Sequence, residues 1–329
     1  MAKGRRRKPT NTAAIALGGF IGLLVSVQGR ANATLARDVG DAIGGAALGF
    51  ILGWVIITIL LVSNAQHRAG LRAIPSLFRA GELKWWLLLG GLGGATLVAS
   101  QGFAVPVLGV SLFTVALVAG QITSSLEVDR LGLGPSGRLH PSRFRVFASV
   151  ISVIAVVIAV DPFSGGVNFQ PVAVFVCLFA GTLVSAQQAF NGRVAMATGS
   201  PITAAWMNFT VGGIMLWTLT LIRQVDFSTA PSPLQQPYLY VGGLIGATFV
   251  AVASRLVRTL GVLLLSLTSI AGQLLGAVLL DVFLPTQRGA LTNWEFVGVV
   301  LTFVAVLVGS ERFKRRQKYL RTPYNHALN

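Results

Sequence analysis

Acidic side chains are scarce in this sequence, ten among 329 residues, and charged residues of both signs make up only 11% of it. Soluble domains carry about 25% charged residues, so a chain solvated by water over its whole surface is excluded. Cysteine occurs once, at Cys177, which rules out an internal disulfide and leaves the redox compartment unmarked. The three histidines, His67, His140 and His326, stand far apart and give no metal-ligand spacing. No Ser/His/Asp arrangement and no pair of acids falls inside an apolar stretch, so neither a cofactor nor enzyme chemistry is expected. The formal charge of +16 does not point to nucleic acid either, because the basic residues punctuate apolar stretches instead of interleaving with stacking aromatics.

Apolar sequence is what the chain has in abundance: 53% of its residues, with a mean hydropathy of +0.73. A helix needs about 20 apolar residues to cross a hydrocarbon layer about 30 Å thick. Uncharged runs of that size predict an all-α membrane protein of ten transmembrane helices, near 13–33, 42–63, 85–105, 108–127, 144–160, 172–194, 202–222, 238–257, 260–281 and 294–311. Residues 85–126 carry no charge over 42 positions, twice what one crossing takes, and the sequence PVLG at Pro106–Gly109 supplies a turn between two helices. Cytoplasmic segments hold the excess of Lys and Arg. With the amino terminus inside, they collect 22 of the 26 basic residues, leaving Arg30, Arg37, Arg223 and Arg288 outside. Both termini are therefore expected in the cytoplasm, in a multi-pass protein of the cell membrane. The basic start, the apolar run after it and the ANA at Ala31–Ala33 also have the outline of a cleavable secretory signal. Recurrence of the same helix at 172–194, where it cannot be a leader, favours a retained span.

That recurrence extends well beyond one helix. Residues 22–53 and 181–212 match at 12 of 32 ungapped positions, 159 apart, including Ser26 with Ser185, Gln28 with Gln187, Asn32 with Asn191 and Phe50 with Phe209. A second block repeats at an offset of 152: GGLGGATLVA at 90–99 with GGLIGATFVA at 242–251, then LGV, AGQ and Asp129 with Asp281. Chance similarity between apolar helices reproduces Leu, Val and Ala, not Gln, Asn, Asp and paired Gly in register. An internal repeat of five helices is expected. Because five is odd, the second unit enters the membrane from the opposite side, the inverted-repeat plan of many secondary transporters. The expected division is a basic tail at 1–12, a first repeat at 13–160, a linker at 161–171, a second repeat at 172–311 and a basic tail at 312–329.

With Gln28–Asn32, Gln187–Asn191 and the two GGxxGA…LG…AGQ…D blocks in place, the sequence resembles the drug/metabolite transporter superfamily, and within it the YdcZ-like branch. The resemblance covers residues 13–311 and implies a ten-helix carrier without implying what is carried. The bland rival is a membrane scaffold or lipid-handling protein that moves no solute.

Polar amides in lipid-embedded helices must find a partner or face water. Gln28 and Asn32, four residues apart, share a helix face, and Ser26 points about 200° away from Gln28. Ser185, Gln187 and Asn191 repeat the arrangement, so these residues, with Gln121 and Gln273, are the candidate lining of a cavity for a small-molecule solute. Their other reading is helix glue. Gly90, Gly91, Gly94 and Gly242, Gly243, Gly246 read as stripes for close helix packing; with no preceding strand and no GK[ST] they are no phosphate loop. Trp85, Trp86, Trp294 and Tyr238 read as an interfacial belt. All ten acids fall at span ends or in loops, unlike proton-coupled cation exporters with a mid-membrane carboxylate, so a neutral, zwitterionic or anionic solute is expected. Arg30 is either an electrostatic lure or an interfacial snorkelling residue. No oligomeric state follows from any of this.

Overall fold

The computed structural model describes residues 11–135, 137–138, 142–160, 170–285 and 291–321. Most of the tail at 1–12, nearly all of the linker at 161–171 and residues 322–329 lie outside the described residues. Within them, the regular elements are all helices: α1 Asn11–Val39, α2 Ala42–Ser63, α3 Ala65–Arg79, α4 Gly90–Leu131, α5 Arg143–Val160, α6 Pro171–Thr198, α7 Pro201–Ile222, α8 Val241–Phe283 and α9 Asn293–Arg321. Six helices among the described residues are long and apolar enough to cross a membrane, and two shorter apolar helices cover Leu267–Phe283 and Asn293–Val308. Their outward faces are apolar as well: Phe147, Phe175 and Ile214 are each more than 60% exposed. Water would penalise such a surface and lipid would not.

The turn between α1 and α2 is rebuilt between α6 and α7. Gly40 and Gly199 take φ of +77° and +64°, a conformation that costs glycine little and other residues more. Each is followed by a capping side chain. Asp41 accepts hydrogen bonds from the Ile43 and Gly44 N–H groups at 2.8 Å, and Ser200 accepts one from Thr203 N–H at 3.1 Å. A tight glycine turn plus an N-cap at both places leaves few helix-end groups unsatisfied at the two reversals.

α4 and α8 are each too long for one crossing, and both double back. A Cβ placed on Gly93 would sit 2.7 Å from the Leu183 carbonyl, and one on Gly181 would press on the Leu117 carbonyl. Gly93 and Leu117 are 24 residues apart, about 36 Å on a straight helix, yet both meet α6 within 181–183. In α8, Gly246 lies against Gln28 while the Gln273 carbonyl accepts a hydrogen bond from Ser26 Oγ at 2.6 Å. Those contacts, 27 residues apart along α8, fall within 26–28 of α1. The break in α4 is Gly109, with φ 76° and ψ 168°. The reversal expected at Pro106–Gly109 is thus present, made by one residue between helical segments. α1 nests in the fold of α8, and α6 in the fold of α4.

The contacts come in pairs related by the sequence offsets. Gly53 abuts the Phe209 ring and Gly212 abuts the Phe50 ring. A Cβ on Gly243 would be 2.7 Å from the Gly53 nitrogen, and one on Gly91 would be 2.7 Å from the Gly212 nitrogen. Phe50 and Phe209, each the other's equivalent, meet with ring centroids 5.1 Å apart. The expected packing role of the glycine stripes is thereby seen in atoms.

α3 has no counterpart in the spans expected above. It is short, with Arg68, Arg72 and Arg79 on it, so a search for uncharged runs passes over it. Asn64 caps its start, and Gly70 lets it close onto the α6–α7 turn, where His67 Nδ1 and Ser200 Oγ are 2.9 Å apart. At the other end of the bundle, Arg223 after α7 bonds the Asp41 carboxylate at 2.8 Å.

Candidate functional site

The candidate residues fall into two amide clusters, one on each side of the Phe50–Phe209 pair. In the first, Asn32 is 3% exposed and donates from Nδ2 to Gln101 Oε1 at 2.7 Å. It faces Gly242 and Gly49, whose missing side chains leave room for the amide, and Gln28 stands one turn away against Gly246. Gln28 and Asn32 thus share a face, as their spacing requires. In the second cluster, Asn191 donates from Nδ2 to Asn208 Oδ1 at 3.1 Å and faces Gly90. Gln187 lies against Gly93 and Gly94, and its Oε1 is buried without a hydrogen-bond partner among the described residues. An amide oxygen in that position is free to accept from a donor that enters the bundle.

The serines and the remaining glutamines lie elsewhere. Ser26 is buried and turned away from Gln28, spending its hydroxyl on the Gln273 backbone carbonyl. Ser185, its equivalent, is also buried. Gln121 stands at the α4–α6 crossing, where its backbone nitrogen would be 3.0 Å from a Cβ on Gly181. The structure therefore joins Gln28 with Asn32 and Gln187 with Asn191, sets Ser26, Gln121 and Gln273 at helix crossings, and buries Ser185.

Three residues escaped the sequence reading. Gln101 and Asn208 complete the amide clusters, but their repeat equivalents are Ala253 and Gly49, so a filter for duplicated polar residues discards them. The third is Asp281, 4% exposed near the end of α8. Its Oδ1 accepts from Val110 N–H at 2.9 Å and its Oδ2 from Ser111 N–H at 2.6 Å. The break at Gly109 strips those two N–H groups of helical partners in an apolar setting, and the carboxylate caps them from another helix. Its repeat equivalent, Asp129, pairs instead with Arg145, which also donates to Ser125 Oγ at 3.1 Å. The Asp129–Asp281 match was the available signal, and it marked the position without revealing two different uses.

Hydrogen bonds within the clusters run from amide to amide, a chemistry that offers donors and acceptors and no net charge. Such groups offer hydrogen bonds of fixed direction and do not by themselves hold or release a proton. Arg30 donates to the Pro285 carbonyl at 3.1 Å. A family model described as "Putative inner membrane exporter, YdcZ" matches residues 13–158 and 172–308, one stretch in each half of the chain. The chain belongs to this family. No curated protein matches it. Its apolar helices and its family make it a multi-pass membrane protein of the transporter class.

Proposed function

We propose that the chain is an alternating-access carrier with ten crossings in two inverted five-helix units, both termini cytoplasmic, moving a small polar solute. Export is the direction favoured by the family description. The observation that carries the reading is the exchange of equivalent contacts about Phe50 and Phe209: whatever one half does to the other is done back to it. A molecule built that way has two conformations of similar energy related by swapping the roles of its halves, which is the physical requirement for exposing one site to two sides. Doubling back of α4 and α8 turns eight span-forming helices into ten crossings. The amide clusters, with no carboxylate in either, favour an uncharged, zwitterionic or anionic solute over a cation.

Two measurements test this. Single-cysteine variants at Arg72 and Arg223 should label from opposite faces of the membrane; labelling from one face ends the inverted-repeat reading. A ligand-stabilisation screen on the purified protein should find a polar solute that raises its melting temperature, because binding to the folded state alone stabilises it, and that solute should then be taken up by vesicles holding the protein. A second reading rests on a groove of about 710 Å³ between α1, α8 and α9, lined by apolar side chains such as Phe20, Leu275 and Phe303. A lipid chain fits that lining and a polar solute does not. Lipid transfer without solute flux would make it the correct one.

A further inference from the structure

Arg30 and Arg193 are not equivalent in the repeat: 30 + 159 is Ala189, and 193 − 159 is Thr34. They nevertheless do the same thing. Arg30, on α1, donates from Nη2 to the carbonyl of Pro285, in the segment that leaves α8. Arg193, on α6, donates from Nε to the Gly134 carbonyl at 3.1 Å and from Nη2 to the Gly132 carbonyl at 2.6 Å, in the segment that leaves α4. Position 285 − 152 is 133, between those two acceptors. On the common frame of α1 and α6 the two arginines stand at 30 and 34, one turn apart on a single helix face, and an arginine side chain spans the about 5.4 Å of that turn. Two separate positions have thus supplied a guanidinium for one job, fastening the nested helix of one half to the exit loop of the long helix of the other.

The two fastenings lie at opposite ends of the bundle. Asp281, four residues before Pro285, touches Val110 and Ser111 at the start of the second segment of α4. Gly132 follows the end of that segment. Residues 110–131 form a helix about 32 Å long, close to the hydrocarbon thickness of a bilayer.

We propose that Arg30 and Arg193 are the paired gate latches of the carrier, each closing one end of the path by holding a mobile half to its partner's exit loop. This rests on the transport reading above and adds to it which residues set the balance between the two open states. They are positioning residues: they touch backbone carbonyls at the ends, not the amide clusters. The end latched by Arg193, with two bonds in a partly buried setting, is the more firmly closed. The end at Arg30, with one exposed bond, opens first.

The test needs no solute. In a Cys177→Ala background, spin-label pairs at Arg37 and Phe283 report the Arg30 end, and pairs at Met196 and Leu131 report the Arg193 end, through electron–electron distance distributions in lipid nanodiscs. Losing one solvent-screened hydrogen bond shifts a two-state equilibrium by about two- to twelvefold, and losing a less exposed one from a charged donor by about tenfold or more. Arg30→Gln should raise the long-distance population at its own end by about fivefold and Arg193→Gln should do so at its end by about tenfold or more. Arg30→Lys and Arg193→Lys, which keep a charged donor, should recover part of the closed population while Gln does not. Unchanged distances at its own end in either Gln variant, with the protein still monodisperse, overturn the latch assignment. Opening at the mutated end supports it. If the opposite end, latched in this structure, opens together with the mutated one, the latch stands and it is alternating access that falls.

Discussion

Gly212 and Gly213 are adjacent in α7 and face different surroundings, which makes them a controlled pair. A Cβ on Gly212 would lie 2.6 Å from the Gly91 carbonyl oxygen and 2.8 Å from Phe50 Cε1, whereas one on Gly213 would have nothing within 4 Å. Ordinary van der Waals contact begins at 3.4 Å, so Gly212→Ala must push the α4 backbone away by at least 0.8 Å (3.4 − 2.6). Backbone cannot swing aside as a side-chain tip does, and overpacking of this kind costs about 1–3 kcal/mol. Both substitutions gain about 1 kcal/mol of helix propensity, so Gly213→Ala should equal or exceed the parent and Gly212→Ala should fall about 1–3 kcal/mol below its neighbour. At about 2 °C per kcal/mol for a chain of this size, the two melting temperatures should differ by about 2–6 °C. Tryptophan-fluorescence melts of both variants in one detergent–lipid mixture measure the gap. A Gly212→Ala variant melting at or above Gly213→Ala would mean that α4 and α7 do not cross there, and the reciprocal contact of Gly53 with Phe209 would lose its meaning too.

Other expectations follow from the same contacts. Asp281→Ala leaves the Val110 and Ser111 N–H groups unpaired in an apolar site and should cost about 2–4 kcal/mol, while Asp129→Ala, a quarter-exposed ion pair, should cost about 1 kcal/mol or less; denaturant titrations of the two variants separate them, and equal costs refute the cross-helix cap. A double-mutant cycle on Phe50→Leu and Phe209→Leu should return a coupling of about 0.5–1.5 kcal/mol; zero coupling means that the rings do not meet. Gln101→Ala and Asn208→Ala should each destabilise by only about 0.6 kcal/mol, the ordinary worth of an amide bond between membrane helices. Once a transported solute is in hand, loss of flux far beyond that small stability change marks the amides as solute contacts, and unchanged flux marks them as glue.

Much of the fold was legible because the bilayer makes one demand of every crossing segment, a long uncharged run, and duplication states that demand twice. The ends of α2, α5 and α7 fall within a residue of the expected spans for that reason. α1 runs on to Val39 past Arg30 and Arg37, because an arginine near a span end extends its head group and need not stop the helix. α3 escapes a test for long uncharged runs, because it is a 15-residue amphipathic helix carrying three arginines that docks on the α6–α7 turn instead of crossing the bilayer. At the site, register pointed to Gln28 with Asn32 and Gln187 with Asn191. Their partners could not be found that way, because Gln101 and Asn208 sit where the two halves differ, and partner choice across helices is a matter of three-dimensional packing. Asp281 shows the remaining limit. Its residue type and repeat position were plain, yet its role depends on two N–H groups 170 and 171 residues away, freed by a backbone break at another glycine.

The nesting of α1 inside α8 sets a timetable for biogenesis. Ser26 and Gln273, which hydrogen-bond in the finished protein, are separated by 247 residues. At about 5–20 residues per second of synthesis, α1 enters the bilayer about 12–50 s before its mate exists. For that interval its hydroxyl and amides face lipid or borrow partners from the insertion machinery, and a ribosome stalled before α8 leaves a membrane-bound fragment whose first helix has nowhere to settle. Quality control that removes such fragments would recognise them by this orphaned polar stripe.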